Sequence, residues 1–213
     1  MHTTPGGRRA RDDRHFDRWA ARYDRSLTQS LLFGPVQRSV VAALAPRLPP
    51  GARVLDVGCG TGRLLDRLRT VLPGAALFGL DRSSGMTEAA RRLRSYLRIE
   101  RGTAESLPHP DGCFDAVVTT VSFHHWSDKA AALAEVRRVL RPGGLFALTD
   151  PSVDDLPGWP RPLWTIARRN MDDMPALDER DCLLDGAGLR VLETRPTLHG
   201  RWITLTLAER PAA

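Results

Sequence analysis

Residues 54–62 read VLDVGCGTG. A short apolar run passes directly into three glycines at alternate positions, the pattern of a buried strand entering a tight turn. The next ten residues, RLLDRLRTVL, place Leu64, Leu65, Leu68 and Leu72 on one helical face before Pro73 and Gly74 end the helix. Strand, glycine turn and helix in that order open a nucleotide-binding α/β unit, in which glycine lets the chain turn sharply and lets a ligand approach the backbone.

The details of the turn narrow the ligand. Its pattern is D-x-G-x-G-x-G. A dinucleotide turn, G-x-G-x-x-G, would need a glycine at position 63, which is Arg63. That counts against NAD and FAD. Asp56 sets a carboxylate beside the loop, unfavourable for a pyrophosphate and favourable for a ligand ammonium group. S-adenosylmethionine has such an ammonium and no phosphate. A glycine turn by itself could be structural, but Asp81 argues otherwise. It ends the next strand, 19 residues after Gly62, where an acid can accept hydrogen bonds from both hydroxyls of a ribose.

Outward from the loop, strand and helix signals alternate. Strands are expected at residues 53–57, 76–80, 97–101, 114–119 and 145–149. Helices are expected at 63–72, at 84–93 with Ser83 or Ser84 as N-cap, and at 128–140 with Asp128 in the first turn, ending at Pro142-Gly143-Gly144. This order calls for a parallel sheet covered on both faces. After a further helix at 176–187, two β-rich runs at 189–198 and 202–208 are separated by His199, Gly200 and Arg201. So short a link permits only an antiparallel hairpin. The expected fold is therefore α/β and Rossmann-like: a mostly parallel seven-stranded sheet with an antiparallel C-terminal strand, helices on both faces and an N-terminal helical extension.

A single domain spanning residues 1–213 is expected, with no internal repeat or second-domain boundary. Residues 1–13 are polar and expected to be disordered. Residues 14–50 read as N-terminal helices, 51–150 as the cofactor-binding core, 151–176 as an acceptor-side insertion rich in Pro and Trp, and 177–213 as the C-terminal helix and hairpin.

Four segments in order, VLDVGCGTG, FGLDRSSGM (78–86), GTAESLPHPDGCFDAVV (102–118) and EVRRVLRPGGLFALTD (135–150), resemble the successive motifs of class I S-adenosylmethionine-dependent methyltransferases. The resemblance is to the small-molecule branch that includes the ubiquinone and menaquinone biosynthesis methyltransferases, and FDRWAARYD (16–24) is similar to that branch's entry helix. It implies S-adenosylmethionine as cofactor, with Asp56, Gly58 and Gly60 on its methionine part and Asp81 on the ribose. Arg82 and Met86 would flank the adenosine. Thr103, Ala104 and Glu105 would meet the adenine edge, although the family usually has an acid where Thr103 stands. Tyr23 would close over the donor, and Thr119 would line the site.

The segment TTVSFHHW (119–126) follows the fourth strand, and ligands in open α/β sheets sit beyond the carboxyl ends of the strands. Methyl transfer from a sulfonium depends chiefly on alignment and exclusion of water. If the acceptor is a phenol, enol or acidic carbon, a base helps, and His124 and His125 are the candidates so placed. Either can instead pack the loop; as base, His124 is preferred. Trp159, Trp164 and Met171 are candidate acceptor walls or loop packing.

The net charge is +6, which raises the question of nucleic acid. Of the 31 basic residues only Lys129 is lysine, and the arginines are spread along the chain, often beside acids. Such a bias fits a GC-rich coding sequence better than a clustered electrostatic footprint. The (Asp/Asn)-Pro-Pro-(Tyr/Phe) signature of amino-methylating nucleic-acid enzymes is absent from 119–126, and Cys59, Cys113 and Cys182 form no thiol cluster for arsenite and no metal motif. No long apolar run or signal peptide is evident, so a cytoplasmic protein, monomer or homodimer, acting on a small-molecule acceptor is expected. The alternatives are an RNA or protein methyltransferase, or a binder of S-adenosylmethionine without catalysis.

Overall fold

The computed structural model describes residues 33–152, 174–197 and 200–212. In chain order these form α1 (Gly34–Leu44), β1 (Arg53–Val57), α2 (Arg63–Val71), β2 (Ala76–Asp81), α3 (Ser84–Leu93), β3 (Arg98–Arg101) and β4 (Phe114–Thr120). Then follow α4 (Lys129–Val139), β5 (Leu140–Pro151), α5 (Leu177–Gly186), β6 (Arg190–Thr197) and β7 (Gly200–Glu209). One seven-stranded sheet results, in the order β3-β2-β1-β4-β5-β7-β6. The first five strands pair in parallel, and β7 runs antiparallel to both of its neighbours. Tyr23, Trp159, Trp164 and Met171, with the proposed disorder of residues 1–13, lie outside the described residues.

Strand alternation sends successive side chains to opposite faces, and both faces are covered, so both sets are apolar. Leu55, Val57, Val117, Phe146 and Leu148 pack with Leu133 and Val136 of α4 and Leu184 of α5. Val54, Ala116, Val118, Ala147, Leu205 and Leu207 pack on the other side with Val40 and Leu44 of α1, Leu65 and Leu68 of α2 and Ala90 of α3. The helix ends follow local chemistry. Ser83 caps α3 by accepting from the Met86 amide, and Asp128 caps α4 by accepting from the Ala131 amide.

One boundary differs from the sequence expectation by more than two residues. The fifth strand begins at Leu140 rather than 145, and the stretch containing Pro142, Gly143 and Gly144 is not a loop of its own. Leu140 pairs with Phe114, the Gly143 amide donates to the Arg210 carbonyl at 2.7 Å, and the Arg210 amide donates to Gly144 at 2.9 Å. The C-terminal end of the chain supplies the partners that local sequence could not reveal. Among the described residues, no helix is long and apolar enough to cross a membrane.

Because β2 and β3 lie on one side of β1 and β4 on the other, the strand order reverses between β1 and β4. The loops that leave the carboxyl ends of these two strands part there and leave a crevice.

Candidate active site

The crevice is a cleft of about 370 Å³, its open mouth included, lined by Asp56, Gly58, Cys59, Gly60, Thr61, Arg63, Leu64 and Thr120, with Phe33 and Gln37 from the start of α1. The glycine turn is stitched to the end of β2. The amides of Gly58 and Cys59 both donate to the Leu80 carbonyl, at 2.8 and 3.1 Å. The Gly60 amide donates to Asp81 Oδ2 at 2.8 Å, and the Ser83 amide to Asp81 Oδ1 at 2.9 Å. From behind, the buried Arg94 donates through Nη1 to the Thr61 carbonyl at 3.0 Å. Gly58 has φ of 78° and has no room for a side chain: an added Cβ would lie 2.1 Å from Ser122 Oγ.

Asp56 forms part of the cleft wall. It is 2% exposed, and its Oδ1 is buried with no hydrogen-bond partner. Burial, reinforced by the charge of Asp81, pushes its carboxyl up to about 8. Thr120 Oγ1 is likewise buried without a partner. Two orphaned oxygens in the wall of one cleft leave room for a donor from outside the chain. Cys59 packs in the apolar cluster, and burial raises its thiol, so it serves as a filler.

Thr119 does not line the cleft. It is fully buried, its hydroxyl lies 2.8 Å from Ser122 Oγ, and the next residue along the strand, Thr120, takes the place expected for it. Ala104 packs into the core. The Glu105 carboxylate accepts from the amides of Ser127, at 2.7 Å, and Asp128, at 3.2 Å. Burial alone would raise this carboxyl, but those bonds, its own amide and the Thr103 hydroxyl outweigh it and hold it below its ordinary value. The Thr103 proton is thus given to Glu105, which leaves its oxygen as an acceptor. Met86 is buried in the first turn of α3. Arg82 lies close enough to His125 for its charge to act on that ring.

The two histidines are not equivalent. His124 is buried, and its Nδ1 lies 2.8 Å from Asp150 Oδ1, while its amide donates to Asp150 Oδ2 at 2.8 Å. Asp150, 1% exposed near the end of β5, was not marked as a site residue by sequence reasoning. Nothing local distinguishes it from any aspartate that ends a strand. The His125 ring sits 4.0 Å from that of His124 between centroids. Burial, then His124, Arg82 and Lys129, push its imidazole down to about 3. Phe33, Gln37, Arg63 and Thr120 were also missed as lining residues, since only the packing of α1 and the ladder register bring them to the cleft.

Residues 55–148 match the family model described as "Methyltransferase domain". Over that stretch, less than half of its length, the chain is similar to methyltransferase domains. It is 41% identical over 163 residues to a fatty-acid O-methyltransferase of Mycolicibacterium smegmatis, covering 72% of this chain and 58% of that one. It is 35% identical over 148 residues to a demethylmenaquinone methyltransferase of Symbiobacterium thermophilum, covering 64% and 57%. In fold it is similar to a solved S-adenosylmethionine-dependent methyltransferase of Aquifex aeolicus, with TM-score 0.71, 22% identity and coverage of 91% and 97%. The chain spans 63% or less of the length of the curated relatives it matches.

The relatives named are methyltransferases, the solved one S-adenosylmethionine-dependent, and the cleft fits S-adenosylmethionine. The orphaned Asp56 oxygen is the acceptor that an α-ammonium lacks.

Proposed function

We propose that this chain transfers a methyl group from S-adenosylmethionine to a small-molecule acceptor. The observation that carries the reading is Asp56, a buried carboxylate with an orphaned oxygen in the wall of a glycine-lined cleft. A ligand cation relieves two costs there at once, the missing hydrogen bond and the repulsion from Asp81.

In this reading Asp56, Gly58 and Gly60 hold the methionine part and Asp81 the ribose. Arg82 and Met86 flank the adenosine, and Thr103 with the backbone of Ala104 and Glu105 borders the adenine. Thr120 replaces Thr119 among the residues facing the donor. The bound donor supplies a methyl group on a sulfonium, an electrophile that needs little further activation. The chain's own work is to align the acceptor and exclude water. Where the acceptor must lose a proton, His124 is the better candidate base, because Asp150 on Nδ1 would compensate an imidazolium. His125, pushed down to about 3, takes up a proton poorly near neutral pH. The similarity to a fatty-acid O-methyltransferase and a demethylmenaquinone methyltransferase supports a small-molecule acceptor, as does the spread of arginines along the chain.

Calorimetry with S-adenosylhomocysteine tests the cofactor half. Binding is expected for the wild type, with affinity reduced at least about tenfold in Asp56→Asn, and none is expected for NADH. Labelled S-adenosylmethionine incubated with extracts of the source organism then reports the acceptor. Label appearing only in RNA or protein would overturn the small-molecule reading.

A further inference from the structure

Val121, directly after β4, has φ of 53° and is the one non-glycine residue with positive φ among the described residues. A β-branched side chain in the left-handed region crowds its own backbone and is strained. Such a conformation persists only where its surroundings over-determine it, and it concentrates where geometry matters to function.

The surroundings are explicit. The Val121 amide donates to the Thr149 carbonyl at 2.7 Å. Ser122 Oγ donates to the Val57 carbonyl at 3.1 Å, so the hydroxyl of Thr119, 2.8 Å away, donates to it in turn. Two residues further on, Asp150 holds His124 by amide and ring. An extended residue 121 would carry the chain onward along the strand direction. The left-handed one turns it back, so that Ser122 Oγ occupies the space where a side chain at position 58 would be. Neither Val121 nor Ser122 lines the cleft, yet their immediate neighbours Thr120 and Gly58 both do.

We propose that Val121 and Ser122 are positioning residues. The strained turn at Val121 seats Ser122 on Gly58, and this contact sets the glycine loop and the Thr120 hydroxyl in their ligand-holding arrangement before the ligand arrives. The inference rests on the reading of the cleft as the S-adenosylmethionine site. Its physical content is pre-organisation: strain borne in the folded chain replaces an ordering cost that would otherwise fall on binding.

The test compares thermal unfolding without ligand and calorimetric binding of S-adenosylhomocysteine in the wild type, V121G, V121N and S122A. Glycine adopts φ of 53° without strain, so V121G is expected to melt at the wild-type temperature or above it, while its freer turn weakens binding about tenfold. Asparagine tolerates the left-handed region but is less free than glycine, so V121N is expected to bind within about threefold of wild type. S122A, which loses the bond to Val57 and leaves the buried Thr119 hydroxyl without its acceptor, is expected to melt lower and to bind about tenfold more weakly. Wild-type affinity in both V121G and S122A would overturn the proposal. So would V121G losing melting temperature along with affinity, since Val121 would then be ordinary packing. If the wild type itself fails to bind S-adenosylhomocysteine, the cofactor reading falls, and this inference with it.

Discussion

With its carboxyl pushed up to about 8, Asp56 holds a proton in the folded, unliganded chain over much of the range in which the unfolded chain, at its ordinary 3.8, has lost it. The folded state then binds more protons than the unfolded one, so stability falls with rising pH. The contribution is fully present below about 4 and is lost as pH passes through about 8. Urea midpoints measured from pH 4 to 9 should decline across this window in the wild type, and the decline should flatten in Asp56→Asn. A ligand ammonium lowers the same carboxyl, so S-adenosylhomocysteine binding near pH 7 should release a proton, seen as a buffer-dependent heat. The histidines predict a contrast of their own. With whichever acceptor the labelled donor reveals, if it must lose a proton, His124→Gln should reduce turnover by about 10²–10⁴. His125→Gln should cost no more than about threefold if His125 exchanges no proton with the acceptor. Equal losses in the two would remove His124 from the role of base.

Among the elements, α3 and the turn after β1 carry the sharpest expectations. Ser83 caps α3 through the Met86 amide while its own amide binds Asp81, so Ser83→Ala should cost about 1 kcal/mol in denaturant unfolding. It should also weaken ligand binding, because the same turn orients the carboxylate assigned to the ribose. Gly58→Ala combines a positive φ with a Cβ 2.1 Å from a hydroxyl tied to Val57. It should destabilise the chain by about 3 kcal/mol and abolish S-adenosylhomocysteine binding. Element identity was legible in the residues, since Leu64, Leu65 and Leu68 mark α2 and the length of the link after residue 198 allows only a hairpin. The start of β5 was not. Pro142, Gly143 and Gly144 carry every local sign of a loop, and only the end of the chain, at Arg210, draws them into pairing.

For the molecule as a whole, β7 enters the sheet between β5 and β6, and its Leu205 and Leu207 are completely buried. Leu207→Ala should therefore cost about 2–5 kcal/mol in a urea titration, as in any close-packed core, although it lies near the end of the sequence. The sequence by itself determined the fold class, the glycine turn, the acids at positions 56 and 81, and the resemblance that pointed to the methyl donor. The first three are written in spacing and periodicity, which are local, while the resemblance rests on the identities of four motifs in order. Tertiary structure alone decided what lines the cleft. The hydroxyl facing it belongs to Thr120 and not Thr119, the wall includes Phe33 and Gln37, and Asp150 holds His124 from 26 residues away. Ser122 rests on the glycine turn through a bond to Val57, 65 residues distant. Periodicity shows which face a residue takes, whereas the contents of a site depend on which distant residues the packed sheet brings within hydrogen-bonding reach.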